Sequence, residues 1–219
     1  MAKSASKAPA NTQMMVIVHS ALGRDLARAR KVLAAAPLAD AQRKALAVQL
    51  RWMMQFLHHH HVSEDVGLFP LVRSRTVDAD ELLEVMEAEH QAIGPGLRAI
   101  QEESVRFELG DEAGQPAQLI SAIDLLESAL IPHLMHEEND FLPLVASTLT
   151  SQDWQKWDQQ YNIKHRSIFQ LGFTTQWLLD DASDEDKRYV ASVIPLFVRP
   201  VLLRGFAFSY RRHSSRCWG

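Results

Sequence analysis

The 219-residue sequence contains a single cysteine, Cys217. One cysteine excludes a disulfide within the chain and a zinc site built from several cysteines. Long apolar runs are also missing, because the most apolar segment, residues 189–203, is interrupted by Pro195, Arg199 and Pro200. The net charge of −4 is small and acidic, so nothing favours a nucleic-acid partner. We therefore expect a protein of a reducing compartment, the cytoplasm, with neither a membrane span nor bound nucleic acid.

Strand signals are almost absent, whereas apolar residues recur every three to four positions along most of the chain. This spacing predicts an all-α protein. A further helix is expected over residues 151–180, with Ser151 as its N-cap, and Ser183 should cap another helix. The four longer helices predicted before them cover residues 13–36, 39–62 and onward, 79–107, and 117–148.

Histidines and glutamates recur in a duplicated pattern. His19 is followed 41 residues later by His60, and His90 is followed 43 residues later by His133. The second histidine of each pair opens an H-x-x-x-E motif, and a proline follows each motif at the same offset. The six residues of the pattern are His19, His60, Glu64, His90, His133 and Glu137.

These six polar residues fall on the helix faces that should line the interior. An ionised glutamate without a partner in such a core costs several kcal/mol, roughly. Residues four apart share one face of a helix, so each H-x-x-x-E motif offers a nitrogen and a carboxylate to the same place. A pair of metal ions would balance two buried carboxylates, and imidazole together with carboxylate suits iron, zinc, copper or nickel.

The same residues carry a family resemblance. The segments "VHSALGRDL", "HHVSED" with "LFP", "EAEH", and "HLMHEEND" with "FLP" resemble the hemerythrin-like, or HHE cation-binding, family in its H-HxxxE-H-HxxxE subgroup. The resemblance covers about residues 14–148 and implies an up-down-up-down four-helix bundle there. Residues 1–13 would then form a flexible N-terminal tail, and residues 149–219 a helical extension packed on the bundle.

The resemblance also implies a non-haem di-iron centre. His19, His60, His90 and His133 would be terminal ligands of two iron ions in an Fe–O–Fe unit. Glu64 and Glu137 would be the carboxylates that bridge the two ions.

The oxygen-carrying members of the family have a fifth histidine, one turn away on the third helix, where this sequence has Met86 and Gly94. Two open positions would result, and they favour peroxide turnover over oxygen carriage.

Other histidines are expected to play smaller parts. Within the run His58–His61, the stripe count leaves His58 and His59 in solvent and His61 at the rim. His136 lies one turn from His133 and could hydrogen-bond near the site. Tyr161 and His165 could reach into a site that lacks its fifth histidine. The candidate catalytic residues are therefore Tyr161, His165 and His136.

Three functions stay open at this stage. The first is a redox enzyme that consumes peroxide or oxidises a small substrate with dioxygen. The second is a module that binds or senses oxygen, nitric oxide or iron without turnover. The third is a structural metal bundle whose C-terminal extension binds a partner, and zinc is the main rival metal. A homodimer is also open. A closed zinc site would leave two buried carboxylates unexplained, and a ferritin-like site would need more E-x-x-H pairs than Glu87 and His90 supply.

Overall fold

A computed structural model describes residues 8–35, 37–110 and 115–219, and these residues are mostly helical, with no β-strand among them. The all-α prediction is confirmed. In chain order the helices are α1 (Gln13–Ala34), α2 (Asp40–Ser63), α3 (Phe69–Arg73), α4 (Asp80–Leu109), α5 (Pro116–His136), α6 (Leu142–Thr148), α7 (Ser151–Asp158), α8 (Ile168–Leu179), α9 (Asp184–Val193) and α10 (Ala207–Trp218).

The four long helices α1, α2, α4 and α5 form the predicted bundle. Their directions alternate, because the first halves of α1 and α4 meet the ends of α2 and α5. His19 in α1 lies 2.8 Å from Glu138, which follows α5. His90 in α4 lies 2.6 Å from Asp65, which follows α2. The up-down-up-down arrangement is thereby confirmed.

The bundle core is aliphatic along its length. Leu22 and Leu26 of α1 and Leu50 and Leu57 of α2 are fully buried. Each buried side chain of this kind contributes about 1.5–3 kcal/mol relative to an exposed one. The core therefore holds the four helices rigidly enough to fix the polar side chains at one end.

The duplicated motif appears as a duplicated backbone feature. α2 and α5 each run into a single π-helical turn, Glu64–Leu68 and Glu137–Phe141, and each turn leads into a short helix with a proline in its first turn. Proline is tolerated there because the first N–H groups of a helix have no partner inside it. Such π-turns often occur at functional sites, and here each one begins at a motif glutamate.

The region after the bundle differs from the prediction in two respects. The expected single helix over 151–180 is wrong, because the chain leaves the helical path at residues 164–167 and starts α8 anew. Ser167 caps α8 in a reciprocal hydrogen-bonding pair with Gln170, which gives an independent helix start inside the predicted one. Thr150 caps α7 in the same way with Asp153, instead of Ser151. Ser183 does cap α9, as predicted.

The C-terminal helices pack against the bundle through a buried aspartate. The Trp177 indole of α8 donates to Asp25 over 3.0 Å, and the Gln49 amide donates to the same carboxylate over 3.1 Å. Gln49 in turn lies 2.9 Å from His213 of α10. Asp25 and Trp177 are completely buried. Each polar group is satisfied by a group from another helix, so this network fastens the extension to the bundle.

The N-terminal segment contacts a different part of the chain. Residues 1–7 of the predicted tail lie outside the described residues. Ala10 donates its backbone N–H to Leu149, and Ser151 donates to Ala8. Residues 8–12 thus pair with the segment between α6 and α7, and Gln13 already begins α1. None of the described helices is long and apolar enough to cross a membrane.

Two glycines of α4 offer a matched test of helix packing. A Cβ added at Gly96 would lie 2.5 Å from the Leu126 Cα of α5, and this backbone cannot move aside. We predict that Gly96→Ala lowers the free energy of unfolding by about 1–3 kcal/mol. Gly94→Ala is the control, because its Cβ would meet only the end of Arg98 at 3.3 Å, and better helix propensity should add up to about 1 kcal/mol. Equal urea midpoints for the two variants would contradict this account.

Candidate metal centre

The structure brings all six residues of the duplicated pattern to one end of the bundle. They come from α1, from the last turns of α2 and α5 with the π-turns that follow, and from the first half of α4. The π-turns matter here, because Glu64 and Glu137 are the first residue of each. The six residues, all buried, are His19, His60, Glu64, His90, His133 and Glu137.

A seventh residue, His61, joins them, and its predicted position at the rim is wrong. Its side chain is only 4% exposed, and its ring stacks on that of His90 with centroids 4.2 Å apart. The stripe count failed because the inward face of a bundle helix is at least 100° wide. Two consecutive residues of α2 can therefore both point inward, and His60 and His61 do so on different sides.

Six of the seven side chains form two donor groups, and Glu64 lies between them. The three-histidine group consists of His61, His90 and His133, and the two-histidine group consists of His19, His60 and Glu137. Within each group, one ligand atom per residue lies within 4.8 Å of the others. The arrangement matches two adjacent cation positions.

The two glutamates connect the two groups. Glu64 has one oxygen 3.4 Å from the Nε2 of His60 and the other 3.6 Å from the Nε2 of His90. Glu137 has an oxygen 3.2 Å from the Nε2 of His19 and 3.7 Å from that of His133. Each carboxylate thus faces one histidine of each group, as a bridging ligand must.

The centre contains polar atoms that find no partner outside it among the described residues. The Nε2 atoms of its five histidines and all four carboxylate oxygens of Glu64 and Glu137 are buried and make no hydrogen bond beyond the centre. The closest contact among them joins His19 and Glu137 over 3.2 Å. A buried polar group left unsatisfied costs about 1–3 kcal/mol. Nine such atoms in one place, all of metal-binding types, fit a cation site and have no explanation in packing. The chemistry of the donor set therefore fits a bound metal pair.

The pKa values of these buried groups in the metal-free protein also reflect the lack of compensating charge. Burial and the nearby charge of Glu137 hold the pKa of Glu64 well above its usual range. Burial lowers the pKa of His60 to about 3 and holds that of His61 well below its ordinary value. Burial also disfavours a charge on His19, but Glu137 and Glu138 outweigh it and raise the His19 pKa to about 9. Without a metal, a proton on Glu64 and a proton on His19 thus offset the negative charge of the two carboxylates, a role that bound cations could take over.

Three carboxylates outside the seven residues hold the outer nitrogens of the histidines. His19 pairs through Nδ1 with Glu138, His90 with Asp65, and His133 with Glu89, over 2.6–3.0 Å. Sequence reasoning did not assign these residues. Their signal was adjacency, because Asp65, Glu89 and Glu138 are each the chain neighbour of a motif residue.

The three candidate catalytic residues point elsewhere. Tyr161 packs its ring over Gly67, and its hydroxyl lies 3.4 Å from the Val66 carbonyl. His165 is exposed. His136 bonds to Glu89 over 2.9 Å on the outer side of the site, as expected for a residue near the ligands. Among the described hydrogen bonds, none joins any of the three residues to the seven inward-facing side chains.

Glu87, which a ferritin-like site would need, is bonded to Arg73 over 2.7 Å. Among the remaining histidines of the run, His58 and His59 are exposed, as predicted. His59 bonds to the Tyr161 carbonyl over 2.9 Å.

His61 and His58 make a matched pair for testing the revised ligand set. We predict that His61→Ala weakens binding of the second metal at least about tenfold, since even residues that merely support a ligand cost that much. His58→Ala should bind like the wild type, because His58 faces solvent. Anaerobic iron(II) titrations of both variants measure this. Unchanged affinity and stoichiometry in His61→Ala would remove His61 from the ligand set.

Comparison with known proteins agrees with the site. Residues 11–145 match the family described as hemerythrin HHE cation binding domain. No curated protein and no solved structure matches the chain. The matched residues span more than half of the chain and include all seven buried histidines and glutamates. The chain therefore belongs to the hemerythrin HHE cation-binding family.

Proposed function

We propose that the chain binds a carboxylate-bridged pair of iron ions and uses it to bind a small ligand such as dioxygen or nitric oxide. The observation that carries the proposal is a set of nine buried donor atoms that have no hydrogen-bond partner outside the centre. Their histidines fall into two groups, and two carboxylates connect these groups. The family to which the chain belongs supports metal binding at this place. When bound, an iron pair supplies redox activity and an exchangeable coordination position.

The donor count favours iron over a closed zinc site. A structural zinc takes four ligands in a tetrahedral set, whereas seven convergent side chains would serve one such ion and leave three without a role. Imidazole nitrogens combined with carboxylates that can bridge suit a pair of redox metals. His61, His90 and His133 would hold one ion, and His19 with His60 the other. Glu64 and Glu137 would be shared.

The fifth histidine changes the preferred reaction. With four histidines, two equally open positions would favour peroxide turnover. With His61 included, one ion would be held by three nitrogens and the other by two, so a free coordination position would lie next to His19 and His60. A single free position favours binding of one small ligand.

The surroundings of the site favour binding as well. Phe69 stacks near His90, Phe56 stacks near His60, and Phe141 packs against Phe69. These rings line part of the centre with apolar surface and offer no proton. Among the described hydrogen bonds, none joins Tyr161 or His165 to the centre, so the structure does not place either of them as the acid or base that turnover would use. Peroxide consumption stays a prediction, as do the cytoplasmic location and the homodimer.

The proposal is tested by metal analysis and spectroscopy of the purified protein. We predict two irons per chain and a visible spectrum that changes on adding dioxygen or nitric oxide to the reduced protein. The change should reverse when the gas is removed, because binding without turnover consumes nothing. Oxygen evolution on repeated additions of peroxide would instead support the redox enzyme. One zinc per chain with a featureless spectrum would contradict both.

Removal of the metal generates a stability prediction. Glu64 is completely buried, and neither of its carboxylate oxygens has a hydrogen bond. Its desolvation therefore lowers the free energy of unfolding of the metal-free protein. We predict that Glu64→Leu raises the free energy of unfolding of the metal-free protein by about 1–3 kcal/mol. The same variant should lose most of the stabilisation that iron gives the wild type. Thermal unfolding of both proteins, with and without iron, measures the two effects. A variant that is less stable than the wild type without metal would contradict this reading.

A further inference from the structure

An outer ring of three carboxylates surrounds the centre. Asp65 bonds to His90 over 2.6 Å, Glu138 to His19 over 2.8 Å, and Glu89 to His133 over 3.0 Å. Each of these carboxylates is next in the chain to one inward-facing residue and yet bonds to a histidine of a different helix. The ring therefore ties α1, α4 and α5 to one another and to the end of α2 at the level of the centre.

The hydrogen bonds of the ring fix how the histidines face the centre. A carboxylate oxygen can only accept, so the Nδ1 atoms of His19, His90 and His133 carry the protons. In the neutral form that can bind a metal, their Nε2 atoms therefore present lone pairs to the centre, and all three Nε2 atoms are buried. A carboxylate on the far nitrogen orients the ring and makes the near nitrogen a stronger ligand.

Stability of the fold does not account for the ring. The side chains of Asp65 and Glu138 are 36% exposed and that of Glu89 is 30% exposed. Ion pairs with this much solvent contact add little to stability. What the three carboxylates share is that each one bonds to the Nδ1 atom of a histidine whose Nε2 atom faces the centre. Glu89 also bonds to His136 over 2.9 Å, which holds the carboxylate in place on its outer side.

The ring also places negative charge next to the centre in an uneven way. Asp65 and Glu89 lie behind two histidines of the three-histidine group, whereas Glu138 alone lies behind the two-histidine group. His60 and His61 have no carboxylate on Nδ1 among the described hydrogen bonds. A nearby negative charge stabilises a trivalent cation more than a divalent one. The effect of the ring should therefore be larger on the three-histidine position.

We propose that Asp65, Glu89 and Glu138 are positioning residues whose negative charge holds the iron pair toward its trivalent state, most strongly at the His61–His90–His133 position. This inference rests on the iron pair of the proposed function and adds to it the control of its redox state. The ring acts through the histidines and does not bind the metal.

Two kinds of substitution separate charge from orientation. Asp65→Asn, Glu89→Gln and Glu138→Gln remove a charge but keep an amide oxygen that can accept the Nδ1 proton. Asp65→Ala, Glu89→Ala and Glu138→Ala remove both. Glu87→Gln is the matched control, because it removes one charge from α4 two residues from Glu89, and its side chain bonds to Arg73 and to no histidine.

The alanine variants are measured by cobalt(II) titration, which does not depend on redox activity. We expect a loss of affinity of about 10–100-fold in each alanine variant and near wild-type affinity in the amide variants and in Glu87→Gln. Alanine variants that bind cobalt(II) as tightly as Glu87→Gln would overturn the positioning role. This titration remains informative if the wild type holds no iron pair, so failure of the proposed function is seen separately, in the iron content.

The amide variants are measured by redox titration of the iron-loaded protein. We expect each to have a more positive reduction potential than Glu87→Gln, with a change of about tenfold in the one-electron equilibrium, or ~59 mV. Asp65→Asn and Glu89→Gln should have their larger effect on one of the two one-electron steps, and Glu138→Gln on the other. Amide variants with the potential of Glu87→Gln would overturn the role of the charge.

Discussion

The structure depends on a cluster of buried polar atoms that have no hydrogen-bond partner outside the metal centre. Five imidazole nitrogens and four carboxylate oxygens meet in a region from which the surrounding side chains exclude water. Desolvation raises the free energy of each one, and a stable bundle of this size has only about 5–15 kcal/mol to spare. A bound cation pair converts this cost into binding energy. The same property that weakens the metal-free protein therefore makes the site selective for metal.

The helical architecture explains how so many donors reach one place. Because neighbouring helices run in opposite directions, the first halves of α1 and α4 meet the ends of α2 and α5. The π-turn after each of α2 and α5 starts at a glutamate, so the carboxylate follows its histidine by one turn and still points inward. Each duplicated half supplies one carboxylate and at least two histidines. Two similar halves then enclose a centre with two cation positions.

Much of the fold and of the site could be predicted from the sequence. Helical periodicity gave the four long helices, and the repeated spacing of His19, His60, His90 and His133 gave an inward-facing set, because residues one turn apart share a helix face. The break near residue 165 was missed, since apolar spacing continues through it and only the cap at Ser167 marks it.

His61 was missed for a geometrical reason. The periodicity argument assigned one narrow stripe of each helix to the interior. A centre with two cation positions is wide enough for the neighbouring residues His60 and His61 to face different positions. The outer carboxylates were missed because hydrogen bonds between helices depend on the packed arrangement. In the sequence, Asp65 and Glu138 are ordinary acidic residues of the kind found at an exposed helix end. Only the structure shows that they bond to the Nδ1 atoms of His90 and His19.

The correction at His61 alters the functional conclusion more than the structural one. A centre with four histidines has two similar cation positions, whereas a centre with five has one position richer in nitrogen than the other. The outer carboxylates follow the same asymmetry, since two of the three stand behind the three-histidine group. Ligand number and nearby charge thus both distinguish the two positions, and in the proposed function the exchangeable position would lie beside His19 and His60.

The most direct test is a crystal structure of the aerobically purified protein with anomalous diffraction measured on both sides of the iron absorption edge. Our account predicts two iron peaks, one among His61, His90 and His133 and the other beside His19 and His60, with Glu64 and Glu137 contacting both. A single peak, a zinc signal, or a second ion without His61 among its ligands would contradict it.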